Sequence, residues 1–131
     1  MPVGLHVDAA NGVLNTWRGI SRSVSSIYVQ LHTGDPGADG EDNISVGDPS
    51  LKLVNFSAAA NGTLAISSSP VWTNGGTSET LQYVSTWDGP DGPGTDECQW
   101  SAQLTTSQSW AEDDTYTLDE LGLAFTPLMG D

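Results

Sequence analysis

The chain has 131 residues, 37% of them hydrophobic, with five Trp, three Tyr and two Phe. That is one domain's worth of material, long enough to bury a core without staples. Its 17 Asp and Glu stand against three Lys and Arg, a formal net charge of −14, and no cation follows Lys52. Such a surface repels phosphate backbones and anionic membrane faces, so nucleic acid is not an expected partner. No apolar stretch reaches transmembrane length, so membrane insertion is not expected either. Cys98 is the only cysteine, which excludes an intramolecular disulfide and a cysteine metal cluster. The first residues lack the charged and apolar regions of a signal peptide, so use without Sec export is expected.

Taken in chain order, the pattern first predicts a helix over 8–18. Ala10, Val13, Leu14 and Trp17 share one face at i, i+3, i+4, i+7, Asp8 suits the start and Gly19 the end. A strand follows over 27–32, with Ile27, Val29 and Leu31 alternating against Tyr28, Gln30 and His32. It stops in the turn cluster Thr33-Gly34-Asp35-Pro36-Gly37, and an acidic, Gly-containing loop runs over 38–50. Short strands are predicted at 52–56, 63–67 and 71–73, with turns at Ala60-Asn61-Gly62 and Ser69-Pro70. A longer strand over 80–87 places Leu81, Tyr83, Ser85 and Trp87 on one face. After a Gly- and Pro-rich loop come strands at 98–104, 115–118 and 121–126. Many short strands separated by turns predict an antiparallel β-sandwich, jelly-roll-like or Ig-like, with one N-terminal helix. With no linker long enough to divide it, 1–131 reads as a single domain.

The sequence offers little catalytic chemistry. It has no Gly-x-Ser-x-Gly elbow, and Cys98 has no sequence-local partner. His6 and His32 are its only imidazoles, and His32 sits at a strand end where local hydrogen bonding is the commoner role. Enzyme activity is therefore not expected. Calcium is the best metal candidate, because oxygen-rich loops suit hard cations. One loop holds Asp35, Asp39, Glu41, Asp42 and Asn43, and another holds Asp88, Asp91, Asp96 and Glu97. Neither has the EF-hand spacing, so loose cation screening is the competing reading and no cofactor is required. Trp72, Trp87, Trp100 and Trp110 would suit a sugar-binding platform or, more commonly at strand spacing, a core or an interface.

Several of these segments together resemble a known family. The run Tyr28-Val-Gln-Leu-His-Thr-Gly-Asp-Pro-Gly37 after a short helix is similar to the opening of small tailed-phage proteins of the tail fibre or minor tail type. Tyr83-Val-Ser-Thr-Trp-Asp88, Ser101-Ala-Gln-Leu-Thr105, Asp113-Asp-Thr-Tyr-Thr117 and Leu121-Gly-Leu-Ala-Phe125 follow in the family's order and approximate spacing. Asp113 departs from the family's usual turn glycine, and the loop over 89–97 is unusually acidic. The resemblance implies a non-enzymatic structural component of a tailed virus particle. It implies as partners other virion proteins, copies of the chain itself and the host surface, and a place on the virion tail or capsid surface. Capsid decoration (a turret protein) and, more distantly, a carbohydrate-binding module are the alternatives. His32, Thr33, Asp35, Pro36 and Gly37 would then be a structural motif that turns the chain after the first strand. The acid excess resembles proteins of salt-loving organisms, which implies a halophilic, archaeal host.

Overall fold

The computed structural model describes residues 3–125 and Met129. Near the N-terminus the chain forms a helix, α1 (Val7–Asn15), extended by one 3₁₀ turn over Thr16–Arg18. The His6 ring accepts the Asp8 N–H at 3.2 Å, Asp8 lies in the first turn, and Gly19 ends the run at φ 83°. The extent matches the prediction. Ala9 is the helix residue that is buried, while of the predicted apolar face Ala10 and Val13 are half-buried and Leu14 and Trp17 exposed.

Eight strands follow: β1 (Ile27–His32), β2 (Lys52–Val54), β3 (Thr63–Ala65), β4 (Val71–Thr73), β5 (Glu79–Trp87), β6 (Cys98–Trp110), β7 (Thr115–Thr117) and β8 (Gly122–Ala124). Every pairing among them is antiparallel. One sheet has the order β2-β1-β5-β6, and two ribbons, β3-β8 and β4-β7, complete the β structure. The chain is thus mainly β with one short N-terminal helix, as its sequence predicts. The last predicted strand forms over 122–124, and its Thr126 lies outside the described residues.

Local chemistry explains the turns. Asn61 and Gly62 take φ of 53° and 72°, and Ala60 and Thr63 exchange both backbone hydrogen bonds. This is the two-residue hairpin loop for which Asn-Gly is the favoured pair, since both central residues need positive φ.

The core lies between the sheet and the ribbons. Val29 and Leu31 of β1, Leu81 and Val84 of β5, and Trp100 and Trp110 of β6 meet Trp72 of β4, with Leu118 and Leu121 beside β7 and β8. Phe56 packs on Trp100 with ring centroids 5.9 Å apart, and Tyr116 on Trp72 at 6.4 Å.

Two strands depart from the sequence reading. β6 continues past residue 104 to Trp110, because Gln108, Ser109 and Trp110 find partners in Leu81, Thr80 and Glu79 of β5. Between Leu81 and Tyr83 the register shifts, with Gln82 alone against residues 104–107 of β6, and the facing reverses, so Leu81 joins Val84 in the core. Ser85 and Trp87 therefore do not share a face with Leu81, as alternation alone would have it. A bulge of this kind shifts the side-chain parity by one.

Candidate interaction surface

The outer face of the sheet is covered as thoroughly as the inner one. Gln30 and His32 of β1 are buried along with Val29 and Leu31, because the loop over 33–51 folds back across them. Thr33 N–H donates to the Asn43 carbonyl at 2.8 Å and Ser45 N–H to the Leu31 carbonyl at 2.9 Å, an antiparallel bridge that extends the sheet edge beside β1, while Gln30 Nε2 reaches the Pro49 carbonyl at 2.9 Å. The loop thus adds a partial third layer over the centre of the outer face, while Asp39, Glu41 and Asp42 stay exposed to solvent.

His32 sits at the centre of this layer with no solvent exposure. Its Nδ1 lies 2.7 Å from the Asp42 carbonyl and its Nε2 2.7 Å from Ser85 Oγ. A carbonyl only accepts, so Nδ1 carries the proton and Nε2 accepts from the Ser85 hydroxyl. Trp87 Nε1 in turn donates to Ser85 Oγ at 2.8 Å. Burial pushes the His32 pKa below its usual value, against the opposing pull of the Asp42 and Asn43 backbone and the Asp42 charge. The Ser–His contact looks like half a triad, yet a backbone carbonyl stands where a carboxylate would be. Ser85 is as sealed from solvent as His32.

The remainder of the His-Thr-x-Asp-Pro-Gly segment builds the turn itself. Asp35 Oδ1 accepts the Gly37 N–H at 2.8 Å, and this bond holds the Asp35 carboxyl below the usual range. Pro36 is fully buried, and its carbonyl accepts the Asp42 N–H at 2.9 Å. Gly40, at φ 76°, lies against Trp87 and Cys98 so closely that a Cβ there would meet the Cys98 Sγ at 2.6 Å. Cys98 is buried, and desolvation pushes its thiol up to about 12, far from a nucleophilic thiolate.

Two of the other acidic candidates, Asp88 and Asp96, serve the backbone. Asp96 Oδ2 accepts the N–H groups of Asp91 and Gly92, both at 2.7 Å, and Asp88 Oδ1 accepts the Glu97 N–H at 2.8 Å. Asp39 is exposed, with its carboxylate 3.7 Å from His6 Nε2. Among the described residues, no group of three or more His, Cys, Asp or Glu side chains gathers into a metal cradle.

Sequence reasoning missed two polar hubs, Glu79, which fastens the loop to β5 and β6, and Asn74, which closes the turn after β4. The Glu79 carboxylate accepts from Ser45 Oγ, from the Val46 and Gly47 N–H groups at 3.1 and 3.2 Å, and from Trp110 Nε1 at 3.0 Å. Burial raises its pKa, but these hydrogen bonds together outweigh it and hold the carboxyl below its ordinary value. The buried Asn74 amide accepts from Gly76 and Thr77 N–H and donates to the Thr77 carbonyl at 2.7 Å. A lone carboxylate opening an otherwise uncharged strand was the available signal for Glu79.

Trp72, Trp87, Trp100 and Trp110 are all at most 5% exposed, which removes them as a sugar platform. Trp17 is the opposite, 81% exposed, and Val7, Leu14 and Ile20 of the same N-terminal segment are also exposed. Away from this patch, Leu104, Thr106, Tyr116, Asp119 and Glu120 line an open groove of about 510 Å³ between β6 and β7. The chain thus presents two surface features, an apolar helix face and an acid-rimmed groove, and no exposed constellation of catalytic groups among the described residues.

No curated protein matches the chain. The model of the family described as Podophage GP4 fiber I protein gp80 matches residues 5–126, from just before α1 to just past β8. With nearly the whole length accounted for by that match, this chain belongs to a family of phage tail fibre proteins, and its place is in the tail of the virion.

Proposed function

We propose that the chain is a non-enzymatic structural subunit of the tail fibre, assembling through protein–protein contacts with other virion proteins and with copies of itself. One observation carries this reading. The groups with chemical potential (His32, Ser85, Cys98, Glu79) are buried or spent on the fold, while large apolar side chains stand in solvent on α1. Soluble monomers rarely expose a contiguous apolar patch without using it for contact. The loop carboxylates that bind backbone N–H groups support a fold that needs no cofactor. Light scattering on the purified chain, read across a concentration series, tests the self-assembly. Species larger than the monomer are expected, and a chain that stays monomeric at the highest concentrations overturns it.

The acid excess supports a salt-rich setting. Self-repulsion at a net charge of −14 is relieved as the Debye length falls from about 10 Å at 0.1 M to about 3 Å at 1 M salt. The melting temperature is expected to climb steeply with KCl over that range. A flat response rules out a halophilic origin.

A further inference from the structure

We propose that the exposed face of α1 is a knob that docks into the β6–β7 groove of a second copy of this chain, joining copies head to tail. This deepens the self-assembly reading above and rests on it.

The knob is defined by which side of the helix packs. Ala9, 1% exposed, faces the body; Val7 and Leu14 are 65% and 63% exposed. At 100° per residue these two stand nearly in line, about 20° apart, and Trp17 lies one turn beyond Leu14. A tryptophan can bury roughly 150–250 Å² against a partner, and this residue type is enriched among the few that dominate interface energy.

Charge selects the partner. Up to Gly34 the chain carries Arg18, Arg22 and Asp8, a net charge of +1. From Asp35 onward it carries sixteen carboxylates and Lys52, a net charge of −15. Arg22 reaches Gln99, whereas Arg18, exposed beside Trp17, donates to the neutral Asn15 Oδ1 at 3.1 Å. An apolar knob flanked by a cation needs an apolar seat flanked by anions. The groove is mixed: Leu104 and Tyr116, both half-buried, give it an apolar strip between threonines and Gln108, and the exposed Asp119 and Glu120 stand at its edge. The groove is open to solvent, with a volume of about 510 Å³.

Position makes the contact heterologous. The segment leading into α1 is held to the Cys98 end of β6, through the His6 N–H to the Gln99 carbonyl at 2.9 Å and the Ser101 N–H to the Gly4 carbonyl at 2.9 Å. The groove begins at Leu104 and extends to Gln108, roughly 20 Å further along the same strand. Knob and groove are different patches, so the contact repeats from copy to copy, closing into a ring or running on as a filament.

The test mixes two broken copies of the full chain. Trp17→Ser removes the knob and leaves the groove; Asp119→Lys with Glu120→Lys spoils the groove and leaves the knob. All three positions are exposed, and circular dichroism with a melting curve verifies folding. If the lysine pair perturbs the fold, Thr106→Arg obstructs the groove instead. Wild type is expected to assemble, and each variant alone to associate at least about thirtyfold more weakly, the effect of losing a hot-spot side chain. An equimolar mixture should form dimers and stop, because one live knob meets one live groove. Variants that assemble like wild type, or a mixture that forms no dimer, overturn the knob-in-groove contact while self-assembly stands. A wild-type chain that is monomeric throughout overturns both.

Discussion

The inner face of the four-stranded sheet presents Val29, Leu31, Val84 and Trp100 to the ribbons, and the outer face presents Gln30, His32, Ser85 and Trp87 to the loop over 33–51. All eight side chains are at most 5% exposed. The inner set is held by apolar burial, worth roughly 25 cal/mol per Å² and indifferent to direction. The outer set is held by hydrogen bonds of fixed geometry, each modest when made and costly when half broken. Equal dryness therefore conceals unequal tolerance. The inner face should accept any side chain of similar volume, while the outer face should accept only one that keeps donors and acceptors matched.

The largest effect is expected where the two systems meet. Trp72 is completely buried in the core, packs on Tyr116 and donates its indole N–H to the Ser50 carbonyl at 2.9 Å. Trp72→Ala leaves a cavity and an unpaired loop carbonyl together, and about 3–5 kcal/mol of stability should be lost in urea titration. A loss under about 1 kcal/mol would mean that this ribbon does not close the core.

Two apolar replacements on neighbouring residues separate the faces more sharply. Leu31→Met on the inner side should cost less than about 1.5 kcal/mol. His32→Phe, one residue along the same strand, strands the Asp42 carbonyl and the Ser85 hydroxyl. At about 1–3 kcal/mol for each stranded group, a total of about 2–6 kcal/mol is expected. Equal costs for the two variants would erase the distinction between the faces.

Acid should dissolve the outer face first. Burial lowers the folded-state pKa of His32 below the 6.5 of an ordinary histidine, so the unfolded chain takes up a proton that the folded chain refuses. The His32 contribution is complete above about pH 6.5 and is lost as pH falls toward the folded value. Glu79, also lowered, adds a second decline below its ordinary 4.5. A melting temperature followed from pH 8 to pH 4 should fall in both windows, and His32→Gln should weaken the first decline only. An identical pH profile in that variant would assign the first decline to other groups.

The same contrast explains what the sequence made legible. Helix and strand positions were readable because each carries its signal locally: apolar periodicity, Asn-Gly and Asp-Pro-Gly turns, and Gly19 after the helix. The covering of the outer face was not. His32 meets Ser85 across 53 positions and Glu79 meets Ser45 across 34, and no local pattern reports such pairs. The β5 bulge reversed a facing that strict alternation assigned to Ser85 and Trp87. The helix face was legible as apolar but its exposure was not, since periodicity reports which residues share a face and not what covers it.

That last point yields the smallest expected effect. Four tryptophans are fastened into the body, and the fifth, Trp17, touches so little of it that its removal should leave the fold nearly indifferent. Trp17→Ser should shift unfolding free energy by no more than about 0.5 kcal/mol, the range of ordinary surface substitutions. The measurement belongs at dilutions where copies are separate, because assembly adds its own concentration-dependent stabilisation. Acrylamide quenching of tryptophan fluorescence provides the parallel readout. The readily quenched fraction should vanish in Trp17→Ser, while the emission of the four buried indoles stays as it was. A melting temperature several degrees lower at high dilution would mean that the α1 face braces the body. Retained stability with loss of assembly would instead locate the value of that side chain wholly outside its own subunit.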